Sequence, residues 1–392
     1  MKHAYPLLPM VDQSLRLVDV TAFALRYPLA RPVITSFGTM RDRPAVLVRL
    51  RDADGTEGWG EAWCNFPAPA ADYRAQLLDQ VLAPLCTAGD ATFASPRAVR
   101  DALTARTHVL ALQCGEPGSF AQSVAAIEMA AWDLVARRAG LPLWKLLGGR
   151  GAVPVYASGI HPREADERIE AARAQGHVRF KLKVGFSLED DAACLERVVR
   201  DHAAQAWMID ANQAWDEAAA AKACQRLADL PLQWLEEPMP VDAPADAWQR
   251  MARRGLRLAG GENLRGLPNF EAAGAWLSVL QPDVAKWGGV SGSLDVAAIA
   301  RRQGRWFCPH WLGSGVGLAF SLAILDSHLA HEEARSPGWA EVDVNPNPLR
   351  DELMAWCQGI TEGTARLNDS PGIGPDPTWD PRLQVAPKHR DS

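Results

Sequence analysis

The sequence lacks several features that would assign it to a specialised class of protein. Its seven cysteines are widely separated and none stands in a C-x-x-C pair, which argues against a zinc ribbon and a disulfide framework. It has no run of 18 or more apolar residues, so we expect no membrane span and no membrane partner. It also has no basic tract. Its 41 basic and 47 acidic residues leave a net charge of −6, which argues against nucleic acid as a partner.

What is present is typical of a globular enzyme. A length of 392 residues favours two domains, and a composition with 48% hydrophobic residues can bury a large core. The first residues, MKHAYPLLPMVDQSLRL, become polar too soon for a signal peptide. We therefore expect a cytoplasmic protein.

The N-terminal part changes from a strand pattern to a helix pattern. Residues 15–25 and 44–63 alternate apolar and polar side chains, and Asp54-Gly55 within the second segment predicts a hairpin. Residues 26–40, between them, fit neither template. From about residue 72 to 147 the period is helical, most clearly in SVAAIEMAAWDLVARRAG. Strands followed by helices predict an α+β unit over residues 15–147.

A different rhythm begins at Val153, where short apolar runs alternate with helical segments. Seven runs can be counted and an eighth is expected near residues 339–342; the seven are VPVYAS, VRFKLKV, AWMIDAN, LQWLEEP, RLAGGEN, SVLQPDV and RWFCPH. This alternation predicts a parallel sheet, and the number of units favours a (β/α) barrel over residues 148–345. An open Rossmann sheet is the alternative, but no G-x-G-x-x-G follows a strand at the start of these units. The proline-rich residues 346–392 are expected to return to the N-terminal unit.

Six of these runs end in a charged or metal-binding side chain. In chain order these side chains are Lys181 and Lys183, Asp210 and Asn212, Glu236, Glu262, Asp283, and His310. Their spacing of 21 to 27 residues is about one βα unit, so we expect equivalent positions on consecutive strands, at the barrel end that carries active sites. Solvated strand ends would explain one or two such residues, but hardly six in succession.

Three of these side chains have the chemistry of a metal site. Asp210, Glu236 and Glu262 offer hard oxygen ligands, which favour Mg²⁺ over zinc. Three neighbouring carboxylates would repel one another without a cation. The sequence therefore predicts a magnesium site.

Two further side chains have the chemistry of proton transfer. Lys183 and His310 are expected on opposite sides of the metal, and a nearby cation and Lys181 should lower the pKa of Lys183. Asp283, one strand before His310, is placed to accept a hydrogen bond from its Nδ1–H.

The segments KLKV, DAN, WLEEP, GGEN, QPDVAKWGGVSG and CPHWL together resemble the mandelate racemase subgroup of the enolase superfamily. The similarity runs from about residue 15 to 365 and includes SVAAIEMAAWDLVARRAGLPLWKLLGG. The resemblance implies a (β/α)7β-type TIM barrel with an N-terminal α+β capping domain. It also implies a symmetric homo-oligomer.

The resemblance also implies a role for individual residues. It implies the metal ligands Asp210, Glu236 and Glu262, the bases Lys183 and His310, the His310 partner Asp283, and Lys181 near the substrate carboxylate. Glu341, in WAEVDV, resembles the acid that hydrogen-bonds the carboxylate oxygen on the enolate side. The muconate-lactonising and dipeptide-epimerase relatives have a lysine at position 283, so the aspartate here favours the His–Asp subgroup.

The expected chemistry is Mg²⁺-dependent removal of the proton α to the carboxylate of a small acid, through an enolate. Dehydration of a sugar acid to a 2-keto-3-deoxy acid is favoured. The alternative is a racemase or epimerase of an α-hydroxy acid, and a remote one is a non-catalytic barrel that binds a partner. Further substrate contacts are expected from Asn212, Arg31, Ser36, Trp63 and His161, although interdomain packing would also explain the tryptophan and a surface position the histidine.

Overall fold

The computed structural model describes residues 11–35, 38–89, 92–331 and 337–385. Its N-terminal unit has a four-stranded antiparallel sheet in the order β3-β2-β1-β4. The strands are β1 (Leu15–Ile34), β2 (Thr39–Asp52), β3 (Glu57–Ala62) and β4 (Thr92–Phe93). The helices are α1 (Ala70–Leu77), α2 (Ala83–Thr87), α3 (Pro96–Gln113), α4 (Pro117–Arg138) and α5 (Leu143–Leu146).

The hairpin predicted at Asp54-Gly55 joins β2 to β3, and Gly55 has a φ of +84° that favours glycine. Residues 26–40 were expected to fit neither a strand nor a helix pattern, and this expectation is wrong for residues 26–34 and 39–40. β1 and β2 extend into this stretch and pair as far as Ile34 opposite Thr39. Their register shifts between Pro28 and Val33, and this irregularity hides the alternation that a continuous strand would show.

The long helix predicted at the end of the N-terminal unit is α4, and Gly140 follows it with a φ of +65°. This helix packs directly on β3, where two glycines remove the side chains that would keep them apart. A Cβ atom on Gly60 would lie 2.1 Å from the carbonyl oxygen of Ala126, and one on Gly58 would lie 2.3 Å from that of Ala130. The close contact fixes β3 against the helix.

Eight parallel strands form the second unit: each strand from β5 to β10 pairs with the one that follows it, and β12 pairs with β5. They are β5 (Ala152–Ile160), β6 (Arg179–Lys183), β7 (Ala206–Asp210), β8 (Leu232–Glu236), β9 (Leu258–Gly260), β10 (Val279–Leu280), β11 (Trp306–Phe307) and β12 (Ala340–Asp343). The helices between them are α6 (Ala165–Ala174), α7 (Leu188–Asp201), α8 (Glu217–Arg226), α9 (Ala245–Ala252), α10 (Leu267–Ala273), α11 (Gly289–Gln303) and α12 (Gly315–Ala330).

The short helix α13 (Pro348–Asp351) follows β12 in place of a full eighth barrel helix, so the predicted (β/α)7β barrel with a capping unit is confirmed. A separate buried cluster inside the barrel fills its interior with Tyr156, Met208, Trp234, Val279 and Cys308, among others. The polar site described below rests on this cluster.

The C-terminal residues contact both units. The hairpin of β13 (Ile360–Thr361) and β14 (Thr364–Arg366) adds to β5 in antiparallel orientation. Further on, Trp379 packs against Phe23 and Trp59, and the backbone N–H of Val385 donates to the carbonyl of Ala24, 2.9 Å away. Within the described ranges, every helix is too short or too polar to cross a membrane.

Candidate active site

The strand register brings the predicted polar residues together at the carboxyl end of the barrel. Lys183 on β6 is the register partner of Asp210 on β7, which in turn is the partner of Glu236 on β8. Farther round the barrel, Asp283 and His310 form a parallel bridge just beyond β10 and β11. Residues that the sequence places one βα unit apart are therefore neighbours in space.

Lys181 lies at the centre of the site with no exposed surface. Its Nζ atom is 2.7 Å from Oε2 of Glu236, 2.8 Å from Oε1 of Glu341 and 3.8 Å from Oδ2 of Asp210. Burial alone would lower the pKa of Lys181, but these carboxylates raise it well above its ordinary value. The lysine is therefore a fixed positive charge beneath the cavity, 5.3 Å from the ring centre of Tyr156.

Lys183 reaches the cavity from the same strand face, and its Nζ atom lies 2.5 Å from Oδ2 of Asp210. The side-chain amide of Asn212 donates to the same oxygen, 3.2 Å away. Burial lowers the pKa of Lys183, but the carboxylate of Asp210 outweighs burial, so that pKa is raised. The lowered pKa expected from the sequence relied on a nearby cation and on Lys181. Lys181 does lower the pKa of Lys183, but the carboxylate of Asp210 outweighs it.

His310 and Asp283 form the dyad expected from the sequence. Nδ1 of His310 lies 2.7 Å from Oδ2 of Asp283, while Nε2 lies 2.9 Å from Oε2 of Glu262. Oδ1 of Asp283 accepts from the backbone N–H groups of Ala285 and Lys286, at 2.9 and 3.0 Å. These bonds fix the carboxylate, which in turn orients the imidazole and leaves Nε2 towards the cavity.

Glu341 lies on β12, opposite β5, and Ser158 donates a short hydrogen bond to its Oε1 atom. Its Oε2 atom has no hydrogen-bond partner and lies 3.9 Å from Nε2 of His310. Burial raises the pKa of Glu341, but Lys181 and His310 outweigh it and hold that pKa below its ordinary value. The charges of Lys181 and His310 therefore favour the ionised form of Glu341. The role implied by the resemblance, donation of a hydrogen bond to the substrate, needs the protonated form instead.

The three predicted metal ligands do not converge on one point. Across the described ranges, no three His, Cys, Asp or Glu side chains form a group that could hold a metal. Each carboxylate instead faces a lysine: Asp210 faces Lys183, Glu236 faces Lys181, and Glu262 faces Lys286 at 2.7 Å. This pairing offsets the mutual repulsion that the sequence predicted.

The donor set still fits magnesium, because it contains only carboxylate oxygens from three adjacent strands. Burial and the negative charge of Asp210 raise the pKa of Glu236. Burial and the charge of Glu262 act in the same direction on Asp210, but Lys183 and Lys181 outweigh them and hold the pKa of Asp210 below its ordinary value. These carboxylates are therefore close enough to repel one another.

A cavity of about 380 Å³ opens above these groups. Its floor includes Lys183, Glu262, His310 and Glu341, and its capping-unit wall includes Trp63. Further lining residues are Val33, Ile34, Thr35, Met40, Arg43, Phe66 and Leu312 on the more apolar side, and Asn212, Gln213, Asn263, Lys286, Asp343 and Asn345 on the polar side. The cavity thus has polar groups on its barrel wall and apolar groups on most of its lid.

The remaining predicted substrate contacts have different positions. Arg31 and His161 line an adjoining cavity of about 280 Å³, not the one above Lys183. Arg31 is largely exposed and pairs with Glu167 at 3.3 Å, whereas Nδ1 of His161 accepts from the backbone N–H of Arg163. Ser36 lies outside the described residues.

Two residues of the site, Gln281 and Lys286, were not predicted from the sequence. Gln281 donates to Oε2 of Glu236 across 2.6 Å, and its position two residues before Asp283 was the available signal. Nζ of Lys286 is 2.7 Å from Glu262 and 4.6 Å from the ring centre of Trp63, so it joins the barrel to the lid. Nothing in the sequence spacing shows that contact, because Trp63 belongs to the other unit.

Both units of the chain match known protein families. Residues 17–148 match the mandelate racemase/muconate lactonizing enzyme N-terminal domain, and residues 164–380 match an enolase C-terminal domain-like family. The chain belongs to the mandelate racemase/muconate lactonizing enzyme family. It is therefore an enzyme of the enolase superfamily, as the resemblance implied.

Among curated relatives, the chain is 32% identical to the 3,6-anhydro-alpha-L-galactonate cycloisomerase of Streptomyces coelicolor, over 89% of this chain and 93% of the relative. It is 28% identical to the L-talarate/galactarate dehydratase of Salmonella typhimurium, over 88% and 85%. A solved mandelate racemase/muconate lactonizing enzyme from Bordetella bronchiseptica is 45% identical, with a TM-score of 0.85 and coverage of 94% and 98%. A Streptomyces coelicolor racemase solved with bound magnesium is 28% identical, with a TM-score of 0.78 and coverage of 94% and 100%.

Proposed function

We propose that the protein dehydrates a sugar acid to a 2-keto-3-deoxy acid in a reaction that depends on Mg²⁺. The observation that carries this proposal is that Lys183 and His310 line one cavity, with the carboxylates of Asp210, Glu236 and Glu262 between or beneath them. Two groups that can accept or donate a proton thus face the same volume. A substrate carbon in that volume can lose its proton to one of them.

The three carboxylates would hold the cation, and a related racemase contains bound magnesium. Magnesium would supply positive charge that stabilises the substrate carboxylate as the α-proton leaves. Lys181, with its own fixed charge, adds to this potential from below. Asn212 is placed to hydrogen-bond a substrate oxygen, because its side chain borders the cavity beside Lys183.

The reaction needs two proton transfers. One of Lys183 and His310 removes the α-proton, and the resulting enolate expels the β-hydroxyl group as water when the other base donates a proton to that oxygen. The enol that remains becomes the 2-keto acid. Asp283 keeps the imidazole of His310 oriented through both transfers.

The polar barrel wall favours a sugar acid over an apolar acid. Asn212, Gln213, Asn263, Lys286 and Asn345 offer donors and acceptors for a chain of hydroxyl groups. Relatives in this family include a dehydratase and a cycloisomerase named for galactose-derived acids. The apolar residues of the capping unit that line the cavity would therefore cover only one side of the substrate.

The second candidate is a racemase or epimerase of an α-hydroxy acid, in which the second base returns a proton to the same carbon. The observation that favours it is the apolar side of the cavity, where Val33, Ile34, Met40, Phe66 and Leu312 would suit a hydrocarbon group. With the same two bases, the leaving group on the substrate decides between the two reactions.

The test is incubation with Mg²⁺ and a panel of aldonic and aldaric acids, followed by detection of 2-keto acid. Dehydration predicts a keto product from at least one acid and none from the His310→Asn variant. No keto product from any acid, together with racemisation of an α-hydroxy acid such as mandelate, would overturn the first proposal in favour of the second. Failure to bind Mg²⁺ in a calorimetric titration would contradict the Mg²⁺ dependence of the proposed reaction.

A further inference from the structure

The carboxylate of Glu61 joins the capping unit to the loop that follows His310. Glu61 lies near the end of β3 and only 2% of it is exposed. Its Oε1 atom accepts from the backbone N–H of Ser314 at 2.8 Å, and Oε2 accepts from the Ser314 hydroxyl at 2.6 Å and the N–H of Gly317 at 2.9 Å. All three donors belong to the first turn of α12 and the residue before it. The capping unit therefore supplies the acceptor for the start of a barrel helix.

Burial raises the pKa of Glu61 to about 7, while its hydrogen bonds from Ser314 and Gly317 act in the other direction and favour the carboxylate. Three donors point at two oxygens, so both oxygens must act as acceptors, and the start of a helix favours a negative charge. Two glycines make the approach possible. A Cβ atom on Gly313 would lie 2.8 Å from Oε1 of Glu61, and one on Gly317 would overlap the ring of Trp311 at 1.9 Å. A larger residue at either position would push the loop away from Glu61.

The segment held in this way is the four residues that link His310 to α12. Trp311 is buried and its Nε1–H donates to the carbonyl of Ser314, 2.9 Å away. The side-chain amide of Asn65, four residues after Glu61, donates to the carbonyl of Leu312 at 2.5 Å. Leu312 itself lines the cavity beside His310. The capping unit thus holds the loop at two successive points.

Lys183 has no corresponding connection to Glu61. It lies on β6, where its backbone is fixed by pairing with β7 and its side chain by Asp210. None of the atoms that Glu61 binds belongs to β6 or to its loop. A change at Glu61 therefore reaches the two bases unequally.

We infer that Glu61 is a positioning residue for the base His310: it fixes residues 311–314 and through them the angle of the imidazole. The inference rests on the proposed two-base reaction. It differs from a role in holding the units together, because it predicts that only one half of the proton chemistry depends on Glu61.

The test compares Glu61→Gln with Glu57→Gln, a change of the same kind on the same strand, where Glu57 is partly exposed and lies 3.5 Å from Arg49. Exchange of the α-proton with solvent deuterium is measured for both configurations at C2. Glu61→Gln should slow exchange of the configuration that His310 serves by about tenfold to a hundredfold, since a small misplacement of a catalytic group has that effect. Exchange of the configuration that Lys183 serves should stay within about twofold, and Glu57→Gln should change neither.

An equal fall for both configurations, or no fall for either, would overturn the positioning role. If Glu61→Gln does not fold, Asn65→Ala removes only the Leu312 contact and should give the same unequal loss. If the wild type neither exchanges the α-proton nor forms a keto acid, the proposed function fails, and the ring resonances of ¹³C-labelled histidine then test the inference alone. The His310 signal is assigned by its loss in His310→Asn. Glu61→Gln should shift this signal and Glu57→Gln should not. An unshifted signal in Glu61→Gln contradicts the inference.

Discussion

Nζ of Lys183 lies 2.5 Å from Oδ2 of Asp210, so a proposed base and a proposed metal ligand are ion-paired. The pair joins register neighbours on β6 and β7. The carboxylate outweighs burial and raises the pKa of Lys183, so a cation that neutralised Asp210 would lower this pKa and leave more of the lysine as the neutral amine that can accept a proton. Metal binding and availability of the base are therefore linked through one carboxylate.

Replacing Lys183 with alanine tests this link. Lys183→Ala should abolish turnover and leave Mg²⁺ affinity unchanged within a few-fold, or tighter, because a cation that competes for Asp210 is gone. Calorimetric titration of the variant with Mg²⁺ measures the affinity. Weaker binding by more than about tenfold would show that the lysine supports the metal site instead of competing with it.

Glu236→Gln should lose both Mg²⁺ binding and turnover. The substitution removes one charge from the ligand set and weakens the pairing of the buried Lys181. Glu237→Gln is the matched control, since the carboxylate of Glu237 accepts from the side-chain amides of Gln213 and Asn263 instead of pairing with Lys181. Calorimetry should show Mg²⁺ binding to this control. Equal binding by both variants would remove Glu236 from the ligand set.

Asp283→Asn should reduce turnover by about a hundredfold or more with little change in fold, because a general base needs its orienting partner. The oxygen of asparagine can still accept from the backbone N–H groups of Ala285 and Lys286, but its amide cannot accept from Nδ1–H of His310. Circular dichroism and steady-state rates on the active acid measure the two effects. A loss smaller than about tenfold would argue that Asp283 is a structural residue only.

The buried side chain of His328 should lower the free energy of unfolding in acid. Burial and the nearby positive charge of Arg301 lower the pKa of His328 to about 3, so the unfolded chain takes up a proton below its ordinary pKa of 6.5 while the folded chain does not. Stability from this group is complete above pH 6.5 and falls as the pH drops towards 3. Between pH 7.5 and 5 the loss should be about 2 kcal/mol. Urea unfolding at both pH values should show that His328→Gln loses less of its free energy of unfolding than the wild type does. An equal loss in the variant would show that another group causes the acid sensitivity.

Much of the fold could be predicted because a (β/α) barrel repeats one unit. The distance in sequence from Lys183 to Asp210 to Glu236 is about one unit each time, and these three residues are register neighbours. Residues 26–40 were missed because their pairing with the next strand is set across a register shift, which local alternation cannot show.

The side-chain partners could not be predicted in the same way. Spacing identifies which residues meet at the end of the barrel, but not whether Asp210 turns to a lysine or to a shared point. The link between Lys286 and Trp63 and the contact of Glu61 with Ser314 both join the two units. Such contacts depend on how one unit packs against the other, and no periodic pattern in either unit records that.

The measurement that most directly tests the account is exchange of the substrate α-proton in deuterated solvent by two single-base variants. Lys183→Ala should exchange only the C2 configuration that faces His310, and His310→Asn only the one that faces Lys183, because the proposed reaction has the two cavity-lining bases act from opposite sides of the substrate. Both variants should lose overall turnover. If both variants keep exchange of the same configuration, the two groups act from one side and the two-base account is wrong.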